Sequence, residues 1–189
     1  MTHTGAFRNH QPTHKANTAL VDAICCVINK DETIVDIGAG LGIYVKALLK
    51  RGYNITGIDG TKHIQAITNG LIRRYDLVTR RPVRNKPYVR ADVGLFLEVG
   101  EHIPRRYEDK MLNTVCNMPR HKMIVTWASP HQPGRGHVNC RTEVYIAQRF
   151  AVRGWYVNDD ITTKMQDMCS IPHRKMLKRR LMFLEKRER

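Results

Sequence analysis

Apolar residues in this chain come in short β-branched runs separated by stretches where they recur every three or four positions, and the two patterns alternate along nearly the whole length. An N-terminal helix is predicted from about Thr13 to Asn29, with Leu20, Val21, Ile24, Val27 and Ile28 on its apolar side. Strands follow near 33–38, 54–59 and 71–76, with a helix from Ile43 to Leu49 between the first two. A fourth strand, Val93 to Val99, leads to a helix that opens at Pro104, a residue suited to a first helical turn, and reaches about Asn117. Met123 to Trp127 is the fifth strand, and after the loop 128–139 a helix runs from Thr142 to Arg153, ended by Gly154. Trp155 to Val157 reads as the sixth strand, Ile161 to Met168 as a helix and Arg180 to Glu185 as the seventh strand. The stretch from Pro172 to Arg189 has a second reading, a basic amphipathic helix for RNA or a membrane surface. The unbroken apolar run Leu181-Met182-Phe183-Leu184 favours the strand, and Arg174, Lys175, Lys178, Arg179 and Arg180 are exposed charge on either reading. Strands alternating with helices predict one α/β domain over 16–189, preceded by a flexible segment, 1–15, with no room for a second domain.

The chemistry concentrates first at Asp36-Ile37-Gly38-Ala39-Gly40-Leu41-Gly42, where the first strand meets a glycine turn and then a helix. Glycines here let backbone approach a ligand where a Cβ would collide, and the helix start offers unpaired N–H groups. The second strand ends in Asp59, roughly 20 residues on, where a carboxylate can accept both hydroxyls of a ribose. The spacing G-x-G-x-G differs from the dinucleotide fingerprint G-x-G-x-x-G. The run resembles motif I of the class I S-adenosylmethionine-dependent methyltransferases. That resemblance implies a Rossmann-like seven-stranded sheet with helices on both faces, S-adenosylmethionine as cofactor, and a cofactor site at Asp36, Gly38, Gly40, Gly42 and Asp59. It also puts Asp76 where the superfamily often sets a side chain against the adenine amino group.

A second constellation, Glu98-x-x-Glu101-His102, follows the fourth strand at the carboxyl edge of the sheet, where ligands of such sheets bind. Two carboxylates and an imidazole in five residues suit a divalent cation with O and N ligands, given one more donor from elsewhere, and His131 and His137 in the loop after the fifth strand are the candidates. The packing alternative is a helix start whose acids complement the dipole. The E-x-x-E-H run resembles the metal site of the small-RNA 3′-end 2′-O-methyltransferases, whose distant His precedes a short polar-aromatic stretch and a helix. On that resemblance the fourth ligand falls on His137. It implies Glu98, Glu101, His102 and His137 as catalytic metal ligands, Mg2+ or Mn2+ as the ion, and RNA as partner. Some ubiquinone-biosynthesis O-methyltransferases carry a similar sequence after this strand and act on a catechol-type ring, which offers an ion the same chelating pair of oxygens.

Charge separates the acceptors. The 189 residues include 32 Lys and Arg against 17 Asp and Glu, a net charge of +15, which a small phenol does not call for and a polyanion does. Arg73, Arg74, Arg80, Arg81, Arg84, Lys86 and Arg90 form a basic stretch broken by Pro82 and Pro87, and with Arg105 and Arg106 they are candidates to flank an RNA acceptor. A cap-type RNA 2′-O-methyltransferase would also be basic, yet its Lys-Asp-Lys-Glu tetrad places Asp where this chain has Glu-Val-Gly-Glu-His. A non-enzymatic RNA-binding protein on a relic fold is the reading from another class. Five cysteines with no C-x-x-C pair, no run of about 18 apolar residues and no signal-like N-terminus lead to the expectation of free thiols, a cytoplasmic location and no membrane.

Overall fold

The computed structural model describes residues 2, 4, 5, 16–78, 89–132, 134–169 and 180–187. Its elements, in chain order, are α1 (Thr18–Val27), β1 (Thr33–Ile37), α2 (Ile43–Lys50), β2 (Asn54–Asp59), α3 (Ile64–Ile67), β3 (Ile72–Arg74), β4 (Ala91–Leu97), α4 (Glu108–Cys116), β5 (Pro119–Thr126), α5 (Glu143–Ala151), β6 (Trp155–Val157), α6 (Asp159–Met168) and β7 (Met182–Lys186). The strands form one sheet in the order β3-β2-β1-β4-β5-β7-β6. β1 to β5 are parallel, and β7 runs antiparallel to both of its neighbours.

The unbroken apolar runs of the central strands are explained by helices on both faces, since alternate side chains must both be buried. Val35, Ile37, Phe96, Met123 and Val125 join Met111, Leu112 and Val115 of α4 and Ile146 and Phe150 of α5 in one cluster. Their neighbours Ile34, Leu95, Ile124 and Phe183 join α1, α2, α3 and α6 through Leu20, Ile24, Leu48, Ile64 and Met165 in the other. Helix starts follow local chemistry: Asn17, Thr142 and Asn158 cap α1, α5 and α6, their side chains accepting from the backbone N–H of Leu20, Tyr145 and Ile161.

The structure revises several expected boundaries. The helix predicted from Pro104 starts late: Arg105–Tyr107 is a single 3-10 turn and α4 begins only at Glu108, while a further 3-10 turn, Gly100–His102, precedes Pro104. β5 begins at Pro119, the first residue of the strand and the partner of Ala91, and its ring lies where a Cβ on Gly94 would be 2.9 Å away. β3 is three residues long, so Asp76 lies beyond its end rather than on it. The C-terminal apolar run is the strand β7, between β5 and β6. Arg180, expected as exposed charge, is 6% exposed and ion-paired. Of the candidate RNA contacts, Arg80, Arg81, Arg84 and Lys86 lie outside the described residues, as do Arg174, Lys175, Lys178 and Arg179.

Candidate active site

The strand order reverses between β1 and β4, whose carboxyl ends leave a crevice between their exit loops. The pocket there is lined by Gly38, Asp59, Gly60, Asp76, Glu98 and His102, among others. Gly38, Gly40 and Gly42 all have positive φ, at 83°, 53° and 73°. Their conformation is one that side-chain-bearing residues rarely adopt. Gly38 and Ala39 donate their N–H groups to the Ile58 carbonyl at 2.8 and 2.9 Å, folding the loop back on β2. Asp59 fixes it from the other side: Oδ2 accepts from Gly40 N at 2.9 Å and Oδ1 from Thr61 N at 2.8 Å. Asp76 is held by Val78 N and by the Thr4 hydroxyl, and Thr4 and Gly5 close that end of the pocket.

Asp36, one residue before the end of β1, is 3% exposed, and its Oδ2 has no hydrogen-bond partner among the described residues. Burial, and then the negative charge of Asp59, push its carboxyl up to about 7 from an ordinary 3.8. An amine at this position would relieve that unpaired carboxylate. Folded Asp36 keeps its proton where an exposed aspartate has lost it, so the ligand-free protein loses stability as pH rises between 3.8 and about 7. Asp36→Asn removes that loss, by up to about 4 kcal/mol. The variant should therefore melt higher than the parent at pH 8 without ligand; a parent whose melting temperature does not fall over this range relative to the variant's would show that Asp36 is ionised at its ordinary value.

On the other side of the pocket the chain leaves β4 through Glu98, which adopts a left-handed φ of 56° and donates its N–H to Thr126 Oγ1 at 2.9 Å. The next turn carries Glu101 and His102. Among the described residues, Glu101, His102 and His137 each offer one ligand atom, all within 4.8 Å of one another. Glu101 is wholly buried, and neither carboxylate oxygen has a hydrogen-bond partner among the described residues. Burial and the charge of Glu98 push its carboxyl up to about 8. The rings of His102 and His137 meet edge to face with centroids 5.1 Å apart. Each Nδ1 faces a backbone carbonyl, Gly136 O at 3.1 Å and Gln132 O at 3.2 Å, and because a carbonyl only accepts, Nδ1 carries the proton and Nε2 the lone pair. Burial holds His102 below its ordinary pKa, which favours the neutral ring.

His137 is 35 residues from His102, and its arrival has identifiable causes. Val138 N and Asn139 N both donate to the Glu101 carbonyl, at 2.8 and 2.9 Å. Trp127 Nε1 donates to Asn139 O, and the Trp127 ring fills the space over Gly100, where a Cβ would lie 2.2 Å away. Glu108 anchors the stretch from Asn139 to Tyr145, accepting from Asn139 Nδ2, Arg141 Nε and the Tyr145 hydroxyl. Gly134 leaves room for the His137 ring.

Of the expected ligand set, three members converge and Glu98 takes a different partner: Arg180 Nη1 bonds both its oxygens, at 3.1 and 3.0 Å. His131 is exposed and outside the group. Arg73, Arg74, Arg90, Arg105 and Arg106 are exposed; Arg73 and Arg74 directly precede pocket residues, and Arg105 and Arg106 come shortly after others. The sequence reading missed Thr4, Trp127, Asn139, Glu108 and Arg180. Only Gly100, a glycine inside a predicted strand-to-helix turn, hinted that something bulky lies over it.

No protein-family model matches the chain. It is 28% identical over 102 residues to the ubiquinone biosynthesis O-methyltransferase of Aeromonas salmonicida, a match covering 50% of this chain and 43% of that protein. The matched stretch is thus less than half the length of that relative. Among solved structures, the magnesium protoporphyrin IX methyltransferase ChlM of Synechocystis PCC 6803 with bound SAH superposes with a TM-score of 0.63 at 13% identity, over 90% of this chain and 81% of that one. The methyltransferase domain of bacterial CtHen1-C does so with a TM-score of 0.59 at 16% identity, over 89% and 95%. The fold is that of the class I S-adenosylmethionine-dependent methyltransferases.

Proposed function

We propose that this chain is an S-adenosylmethionine-dependent O-methyltransferase that methylates the 2′-hydroxyl of the 3′-terminal ribose of RNA, assisted by a divalent cation. The observation that carries the reading is Glu101: a carboxylate fully buried without a hydrogen-bond partner among the described residues, against two imidazoles, at the acceptor side of the cofactor pocket. Such a group is expensive to bury unless a cation joins it. Two imidazole nitrogens and one carboxylate suit a borderline ion such as Mn2+ better than Mg2+.

In this reading Asp59 accepts the ribose hydroxyls of the cofactor, Asp36 meets its amino group, and Asp76 faces its adenine. The cofactor supplies a methyl group already activated on a sulfonium, and the ion, held by Glu101, His102 and His137, supplies Lewis acidity that lowers the pKa of a hydroxyl. The protein then has to align that hydroxyl with the methyl group, and the proton the hydroxyl loses would pass to solvent, because both imidazoles would be engaged by the ion through Nε2 and carry their own proton on Nδ1. A 3′-terminal ribose is the place on RNA with two adjacent free hydroxyls, a chelating pair. The charge of +15 and the exposed Arg73, Arg74, Arg105 and Arg106, close in sequence to pocket residues, support an RNA acceptor.

A catechol presents the same pair of oxygens, and the likeness to a ubiquinone biosynthesis O-methyltransferase favours that second reading. Transfer of a labelled methyl group decides between them. RNA with a free 3′-terminal diol should be methylated, RNA ending in a 3′-phosphate or a 2′-deoxyribose should not, and chelator should stop the reaction. RNA affinity should fall steeply with salt. Methylation of a catechol with no affinity for RNA would put the small-molecule reading first, and equal methylation of 3′-blocked RNA would exclude terminal-ribose chemistry.

A further inference from the structure

Glu98 lies in the same turn as the cation donors, near enough for its charge to raise Glu101 and to act on His102. Yet its carboxylate is engaged through both oxygens by Arg180, whose side chain is 7% exposed against 36% for Glu98. The partner comes from the residues just ahead of β7, 82 positions away in sequence. A carboxylate that shares a guanidinium through both oxygens has its charge compensated and its lone pairs directed away from other cations. Glu101 has no such two-oxygen partner among the described residues, and one of its oxygens lies within 4.8 Å of a ring nitrogen of each histidine.

From this contrast we infer that Arg180 is a positioning residue that withholds Glu98 from the ion, so that the chain supplies three donors, Glu101, His102 and His137, and not four. The inference rests on the cation site proposed above. Its chemical consequence is an open coordination sphere. A six-coordinate ion such as Mn2+ held by three protein donors would keep three positions for substrate and water, where four donors would leave two. A fourth protein oxygen would leave room for the acceptor's two hydroxyls and none for water. Arg180 also offsets the negative charge that Glu98 would otherwise add beside Glu101. The left-handed backbone at Glu98 fits the same role, since a non-glycine residue held at φ 56° persists where its surroundings fix it.

The test is titration of the chain of 189 residues with Mn2+, monitored by calorimetry and by water-proton relaxation of the bound ion. Arg180→Met frees Glu98 and should tighten Mn2+ binding about tenfold while removing about one bound water, because a carboxylate oxygen takes its place. Arg180→Lys, which keeps a cation on Glu98, should behave as the parent. Arg180→Met with Glu98→Gln removes both charges together and should return affinity to within about threefold of the parent, whereas Glu101→Gln should weaken it by about thirtyfold or more. The double variant keeps the net charge and serves even where Arg180→Met alone misfolds. A double variant that loses as much affinity as Glu101→Gln makes Glu98 a ligand and overturns the inference while leaving the cation site standing. A parent protein that binds no Mn2+ overturns both.

Discussion

Asp59→Ala should weaken S-adenosylmethionine binding by about a hundredfold or more. Besides the ribose role proposed for it, this residue shapes the loop. Its two oxygens already take the N–H groups of Gly40 and Thr61, so the carboxylate sets the shape of the glycine turn as well as one wall of the pocket. Hydrogen bonds to charged groups contribute about 1.5–3 kcal/mol each, and the loss of one or two to the ligand already reaches the hundredfold range before the turn relaxes. Asp59→Asn, which keeps the shape and one acceptor oxygen, should fall between. Gly40→Val should fail for a separate reason, since a β-branched residue is badly strained at φ 53°. Calorimetric titration of the folded variants is the measurement; near-parent affinity for both Asp59→Ala and Gly40→Val would place the cofactor elsewhere.

The complementary expectation lies on the acceptor side. On the proposed reading, His137→Ala should reduce methyl transfer by about a hundredfold or more and leave cofactor affinity within about twofold, because it would take one of three donors from the cation and is not itself among the residues that line the pocket. Chelator should reproduce the loss in the parent protein and have no further effect on the variant. His137 is chosen over His102 because His102 lines the pocket itself, so its replacement would mix the two effects. Full activity of His137→Ala in excess chelator would return the three residues to a structural role. Cofactor affinity falling in step with activity would instead mean that the His137 loop supports the pocket as a whole.

Most of the fold, and the glycine turn and Asp59 that line the pocket, are legible in the amino-acid sequence alone. The runs Thr33 to Ile37 and Asn54 to Asp59 are largely buried and β-branched, so they have few stable solutions other than central parallel strands. The glycine turn and Asp59 are equally legible, since positive φ and a carboxylate at a strand end are demands that local chemistry states directly. Glu101 and His102 are readable for the same reason, being adjacent in one turn. Local signals fail where a turn is tightened by something distant. The 3-10 turn Gly100–His102, which local signals do not give, passes under the Trp127 ring at Gly100 and has its Glu101 carbonyl taken by Val138 and Asn139. The placement of His137 rather than His131 beside His102 rests on those two hydrogen bonds and on the Glu108 anchor. Arg180 is the clearest case. As one member of a run of basic residues it reads as solvated charge, and only the antiparallel insertion of β7 between β5 and β6 buries it against Glu98. Periodicity and turn chemistry are properties of neighbours along the chain, whereas the partner of a charged side chain is decided by which strands the sheet brings together, and no local pattern encodes that.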